Sequence, residues 1–171
     1  MPKDAQAPAR SLRHQAAEKY RPDDVRLLLV AEAPPASLER YFYFDDVRQQ
    51  DSLFRYVVQA VLAEAPTRTA KATQLVRLRN RGVFGIDLKA DPKLGDEPLD
   101  PYVPDLVARA VAHDPKHVIT IKANVCDLCQ EPLRAAGFDV VDERIPFPGS
   151  GQQRRFIDGM SRALGSIGWT S

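Results

Sequence analysis

Long apolar runs, cysteine and histidine are all scarce in this chain, and each scarcity excludes something. No apolar stretch approaches the roughly 20 residues that cross a bilayer, so no membrane partner is expected. The basic N-terminus lacks the apolar segment of a signal peptide. Two cysteines among 171 residues make no disulfide framework, and a reducing cytoplasm is the expected location. Charge of one sign is missing too: 24 basic against 23 acidic residues leave a net charge of +1, so no global field draws the protein to nucleic acid. Any such binding must come from local patches. What remains is an ordinary globular composition, 44% apolar, long enough to bury a real core. A single domain over 10–171 is expected, behind a flexible tail over 1–9, and a monomer.

The apolar pattern alternates between two periods. Val25 to Ala31 is a continuous apolar run, as in a strand covered on both faces. Val83 to Leu88 and His117 to Ile121 read as further strands, and Phe138 to Val141 as a short fourth. Helices fit between them. One runs from Ser11 to Tyr20. The next is capped by Asp51 or Ser52, with Phe54, Val57, Val58, Val61 and Leu62 on one face. A basic helix spans about Thr69 to Arg81, with Gly82 as its stop. Another starts at Pro104. One more ends near Gly137, and a last one, from about Ser150, turns Phe156, Ile157, Met160 and Leu164 inward. This order predicts a parallel sheet between helix layers, α/β in class.

Two segments stand out. LLLVAEAPP (Leu27 to Pro35) is a buried-type strand ending in a carboxylate and two prolines. Open α/β folds place their sites at such strand ends. FPGSGQQRRF (Phe147 to Phe156) is a glycine-flanked turn opening a helix with Arg154 and Arg155, a start suited to holding an anion. Ser150 and Gln153 have capping-box spacing. Gly149 and Gly151 would let a backbone approach a ligand.

In the order of these motifs, over about 25–165, the chain resembles the uracil-DNA glycosylase superfamily. Ala31-Glu32-Ala33-Pro34-Pro35 stands where the iron–sulfur branch of that family has GEAPG. VFGIDLKADP places Asp87 where the family has a base-reading asparagine. Phe147-Pro148-Gly149-Ser150 stands where it has H-P-S. The resemblance implies a three-layer α/β/α sandwich with a four-stranded parallel sheet. It implies Glu32 as the residue that positions water, Phe42 or Tyr43 as the ring stacking on a flipped base, and DNA or a nucleobase as partner. Ala33, Pro34, Asn124, Gly149, Ser150, Gln153 and Arg155 would complete the substrate site.

Departures from the family pattern shape the expected chemistry. Phe147 replaces the histidine that would stabilise the departing base; Arg154 is expected to supply that charge. Asp87 replaces an amide, and an ionised carboxylate cannot donate to a uracil carbonyl. Four cysteines are needed for the iron–sulfur cluster, and only Cys126 and Cys129 exist. No cofactor is expected.

Each candidate also has a plainer reading. Glu32 would act as a general base if burial raised its pKa, or would simply cap a loop. The arginines at 154 and 155 read equally as solvated surface. Aromatics at 41–44 are more often packing than a stacking platform. Arg68, Lys71, Arg77, Arg79 and Arg81 form a helix face that is either solvated or tracks a nucleic-acid backbone. Cys126-Asp-Leu-Cys129, with its helix expected to begin near Asp127, is the rival signal of a thiol redox protein. Zinc would need two further ligands, for which no motif is present, so no metal is expected. The leading expectation is a divergent glycosylase-like protein that binds DNA or a nucleobase and cleaves an N-glycosidic bond. Its alternatives are an inactive nucleic-acid or protein-interaction module of the same fold, and the redox protein.

Overall fold

A computed structural model describes residues 3–47 and 51–170. The run Leu27–Ala31 forms β1, and every one of its residues is buried. It lies in the middle of a three-stranded parallel sheet of order β2-β1-β3, with β2 at Val83–Asp87 and β3 at His117–Thr120. Full burial on both faces explains why β1 carries no polar alternation. The register pairs Ala31 with Asp87 and Val30 with Thr120. Ladder bonds continue past the strand ends, from the Leu88 amide to the Ala31 carbonyl and from the Lys89 amide to the Glu32 carbonyl. Glu32, Asp87 and the residues after Thr120 are thus brought to one end of the sheet.

The expected fourth strand is reduced to two isolated parallel bridges, Val118 with Val140 and Ile121 with Ile145. The physical reason lies between the bridges. The Gln130 side chain donates to the Val141 and Glu143 carbonyls, at 3.4 and 3.1 Å, so a side chain takes acceptors that a continuous ladder would have used. Pro146 then removes a donor.

Helices cover both sides of the sheet. They are α1 (Lys3–Lys19), α2 (Ser52–Val57), α3 (Lys71–Asn80), α4 (Val103–His113), α5 (Ala123–Ala135) and α6 (Gln153–Ser166). A π-helical turn over Val58–Leu62 prolongs α2. Asp51 caps α2 as expected, accepting from the Phe54 amide at 3.1 Å. Gly82 ends α3 with φ +78°. A Cβ there would lie 2.9 Å from the Asp24 carbonyl, so only glycine fits.

Three expectations need correction. Residues 3–9 belong to α1, which starts well before Ser11 and accommodates Pro8, rather than forming a loose tail. The capping box at Ser150 does not form: Ser150 is in the left-handed region with φ +50°, and α6 begins at Gln153 with no side-chain cap. The basic face of α3 loses its first cation to the core. Lys71 is 1% exposed, donates to the Tyr41 carbonyl at 2.9 Å and lies over the Phe54 ring. Burial pulls its pKa down to about 8, against the raising charges of Asp51 and Asp45. Arg77 pairs with Glu64, Arg79 donates to the Lys19 carbonyl, and Arg81 donates to the Val61 carbonyl and lies over Trp169. Lys71 is thereby withdrawn from that face, while the Arg77 side chain stays 53% exposed and Arg68 is exposed. Among the described residues, no helix is long and apolar enough to cross a membrane.

Candidate functional site

A cavity of about 340 Å³ opens at the C-terminal end of β1 and β2, within the size range of small-molecule sites. Glu32, Ala33, Pro34 and Pro35 line it from the first loop, and Tyr41 and Phe42 from the aromatic segment. Asp87, Lys122 and Phe147 complete the wall from three further segments, and Asp51 and Arg40 also reach it. The prolines fix φ in the Glu32 loop.

Glu32 is held from two sides. Lys122 Nζ donates to Glu32 Oε1 at 2.8 Å, and the Asn124 amide donates to Oε2. Lys93 stands 4.0 Å away. Burial alone would raise the carboxyl, but the hydrogen bonds from Lys122 and Asn124 and the charges of Lys122 and Lys93 outweigh it. The result is a pKa below the usual range. The expectation of a general base raised by burial is therefore corrected: Glu32 is a fixed carboxylate anion.

Asp87 has the opposite character. Burial is the largest influence and Asp51's charge adds to it; Arg109 and Arg13 oppose and Glu32 reinforces. The carboxyl is pushed up to about 7, and no hydrogen bond offsets its desolvation. Asp51, capping α2, is likewise raised by burial. One cavity thus holds a carboxylate kept ionised and a carboxyl that exchanges its proton near neutral pH.

Lys122 is the residue that sequence reasoning missed. It occupies the sharp turn between β3 and α5 with φ +83°, a conformation costing about 1–3 kcal/mol for a non-glycine residue. The chain is pinned on both sides of it. The Ile121 amide bonds the Val30 carbonyl, the Lys122 amide bonds the Ile145 carbonyl, and the Lys122 carbonyl accepts from the Cys126 amide. A usable signal was present, since Lys122 follows β3 as Glu32 follows β1.

The remaining expected site residues divide. Phe42 lines the cavity, although only 9% exposed. Tyr43 does not line it: its hydroxyl accepts from the Gly85 amide at 2.7 Å on the open edge of β2, and its ring packs on Phe84. Burial raises its pKa strongly. Asn124 acts through Glu32. From the second segment only Phe147 reaches the cavity, with 38% of its surface exposed. Gly149, Ser150, Gln153, Arg154 and Arg155 are absent from the lining, and both arginines are exposed. Gly149 serves Phe147 instead: a Cβ at 149 would meet that ring at 3.2 Å.

The two cysteines are core residues. α5 begins at Ala123, so Cys126 lies inside the first turn rather than at the entrance. Both thiols are free and buried. Burial raises Cys126 despite a Thr120 hydroxyl bond, and burial with Cys126 nearby pushes Cys129 to about 12. A redox dithiol needs the reverse shift. Among the described residues no cluster of three or more metal-ligating side chains is present. No protein-family model matches the chain, and no curated protein matches it in sequence.

Proposed function

We propose that this protein holds a nucleobase in the cavity at the ends of β1 and β2, as a divergent relative of the uracil-DNA glycosylase superfamily. One observation carries the reading. Glu32, Phe42 and Asp87, from three distant segments, line a single cavity, and they are the three positions at which the resemblance expects the water, ring and base-edge contacts.

The protonation of Asp87 supports it further. A neutral carboxyl presents one O–H donor and one acceptor, the same pair as an asparagine amide. Held near 7, Asp87 can meet a uracil-type edge when protonated, and an edge rich in N–H donors when ionised. The aspartate that replaces the family's amide is thus compatible with either. Phe147, the more open ring, and Phe42 offer apolar contact to the base faces.

The same groups suit hydrolysis of the N-glycosidic bond. A water oxygen bonds to the sugar carbon, the carbon–nitrogen bond breaks, and its electron pair passes to the base. Glu32, kept ionised, orients the water and favours positive charge on the sugar. Lys122, on the cavity wall, stabilises the negative charge of the departing base, the role expected of Arg154. The water proton ends on the base.

A binding module without catalysis is the second reading, favoured because both Glu32 oxygens already accept hydrogen bonds. One experiment separates the two. Purified protein is incubated with single-stranded oligonucleotides carrying uracil, hypoxanthine or xanthine, and free base is measured. Release that is lost in Glu32→Gln supports hydrolysis. Binding of the oligonucleotides without release leaves the module, and neither binding nor release refutes the proposal.

A further inference from the structure

On the other side of Asp87 lies a second and larger cavity of about 600 Å³, between α1 and the face of β2 and α4. Its basic wall consists of Arg10, Arg13 and Arg109, with the imidazoles of His14 and His113 beside them, opposed by Glu18 and by Asp87 at one end. Phe84, Ile86 and Tyr41 supply an apolar floor. We propose that this cavity binds a small organic anion, a carboxylate or phosphate monoester with an apolar body.

Arg13 is 5% exposed, yet among the described residues its Nε has no hydrogen-bond partner. Among the described residues its one ion pair, from Nη2 to Asp91 at 3.4 Å, is long, and Asp91 is shared with Arg10. Two guanidinium groups share the Asp91 carboxylate, and Asp87, which also faces Arg109, is the further acid that opposes them. A buried guanidinium with unfilled donors is costly unless something accepts from it. Arg109 is partly committed, to Asp105 at 2.8 Å and to the Leu88 carbonyl at 3.0 Å. His113 packs edge-on against Phe84, and burial with the charges of Arg21 and Arg109 holds its pKa down. It therefore offers a neutral imidazole hydrogen bond. An anionic head near Arg10 and Arg13, with an apolar body over Phe84 and Ile86, balances the guanidinium charge of the wall and covers the floor. Glu18 pairs with Arg21 at 3.3 Å, which leaves Asp87 as the opposing charge. Asp87 and Tyr41 line both cavities.

The test is a titration at pH 8 of the intact protein with phenyl phosphate, benzoate and inorganic phosphate. Affinity is followed by calorimetry, and the binding position by amide and histidine NMR signals. The expected result is saturable binding of phenyl phosphate or benzoate, tighter than inorganic phosphate, with shifts centred on His14, His113 and Gly85. The tighter of the two organic probes identifies the head group. Arg13→Gln weakens binding about tenfold. Should that buried variant fail to fold, the exposed Arg10→Gln weakens it several-fold. Asp87→Asn, which removes the opposing charge, strengthens it. The proposal is overturned by any one of four results: no saturation with any probe, unchanged affinity in Arg10→Gln, weaker binding in Asp87→Asn, or shifts centred on Lys122 and Phe147. Loss of nucleobase binding in the first cavity would leave this proposal standing, because its probes are different and its arginine variants, Arg10→Gln and Arg13→Gln, alter residues that line only the second cavity.

Discussion

Lys122 Nζ lies 2.8 Å from Glu32 Oε1, joining the ends of two neighbouring strands across the floor of the cavity. The pair links a residue in a proline-fixed loop to one in a strained backbone turn. Each holds the other's charge in place, and both face the same space.

Glu32→Gln keeps the hydrogen-bonding shape and removes the charge. It is expected to cost about 1 kcal/mol at pH 7, because the pair is partly screened by solvent. Glu32's folded pKa is depressed, so its contribution is present above the unfolded value and is lost as pH falls through the folded one. Urea unfolding from pH 3 to 8 should show the gap between wild type and variant closing at the acid end.

Asp87→Asn runs the other way. The wild-type carboxyl titrates near 7 when folded and near 3.8 when unfolded. The native state therefore holds its proton longer, and this group costs stability progressively as pH rises from about 4 to 7. The variant should be more stable than wild type at pH 8, by at most about 4 kcal/mol, and equal to it below pH 4. A variant no more stable at pH 8 would mean that the carboxyl is not desolvated.

Cys126 and Cys129 should resist modification in the native state. Their raised pKa values leave little thiolate at neutral pH, so a disulfide reagent should label them only at the rate of unfolding. Rapid labelling of either at pH 7 would restore the redox reading.

Gly149→Ala tests the placement of Phe147. The added methyl meets the ring at 3.2 Å, so either the ring or its loop must give by a few tenths of an ångström. Overpacking of this kind costs about 1 kcal/mol or more. The variant should alter base affinity more than it alters the melting temperature, measured by calorimetry on both forms.

Much of the framework could be read from the chain because its signals are local. The unbroken apolar run of β1, the Asp51 cap and the Gly82 stop each depend on neighbouring residues alone. Glu32, Asp87 and the pair Phe42 or Tyr43 could be singled out as candidates because strand ends and motif order mark them, and Glu32, Phe42 and Asp87 line one cavity. Long-range facts were hidden. Lys71 reads as one cation among several on a basic helix, and only tertiary packing reveals that it is buried under Phe54 and Tyr41. Tyr43 and Phe42 are adjacent in sequence, yet one ties down the edge of β2 and the other lines the cavity. Arg154 belongs to the right segment, but the left-handed turn at Ser150 starts α6 later, and the lining ends at Phe147. The fourth strand failed for a similar reason: nothing local to 138–145 announces that Gln130 will claim its carbonyls.

The most direct test of the account is a titration of the protein with free uracil, hypoxanthine and guanine between pH 6 and 8, with each amide signal followed by NMR. The account predicts saturable binding of at least one base, with the shifts centred on Glu32, Phe42, Asp87 and Lys122. It also predicts that uracil affinity rises as pH falls through 7 in the wild type and is flat in Asp87→Asn. Absence of binding by all three bases at millimolar concentration, or shifts confined to surfaces away from these residues, would contradict it.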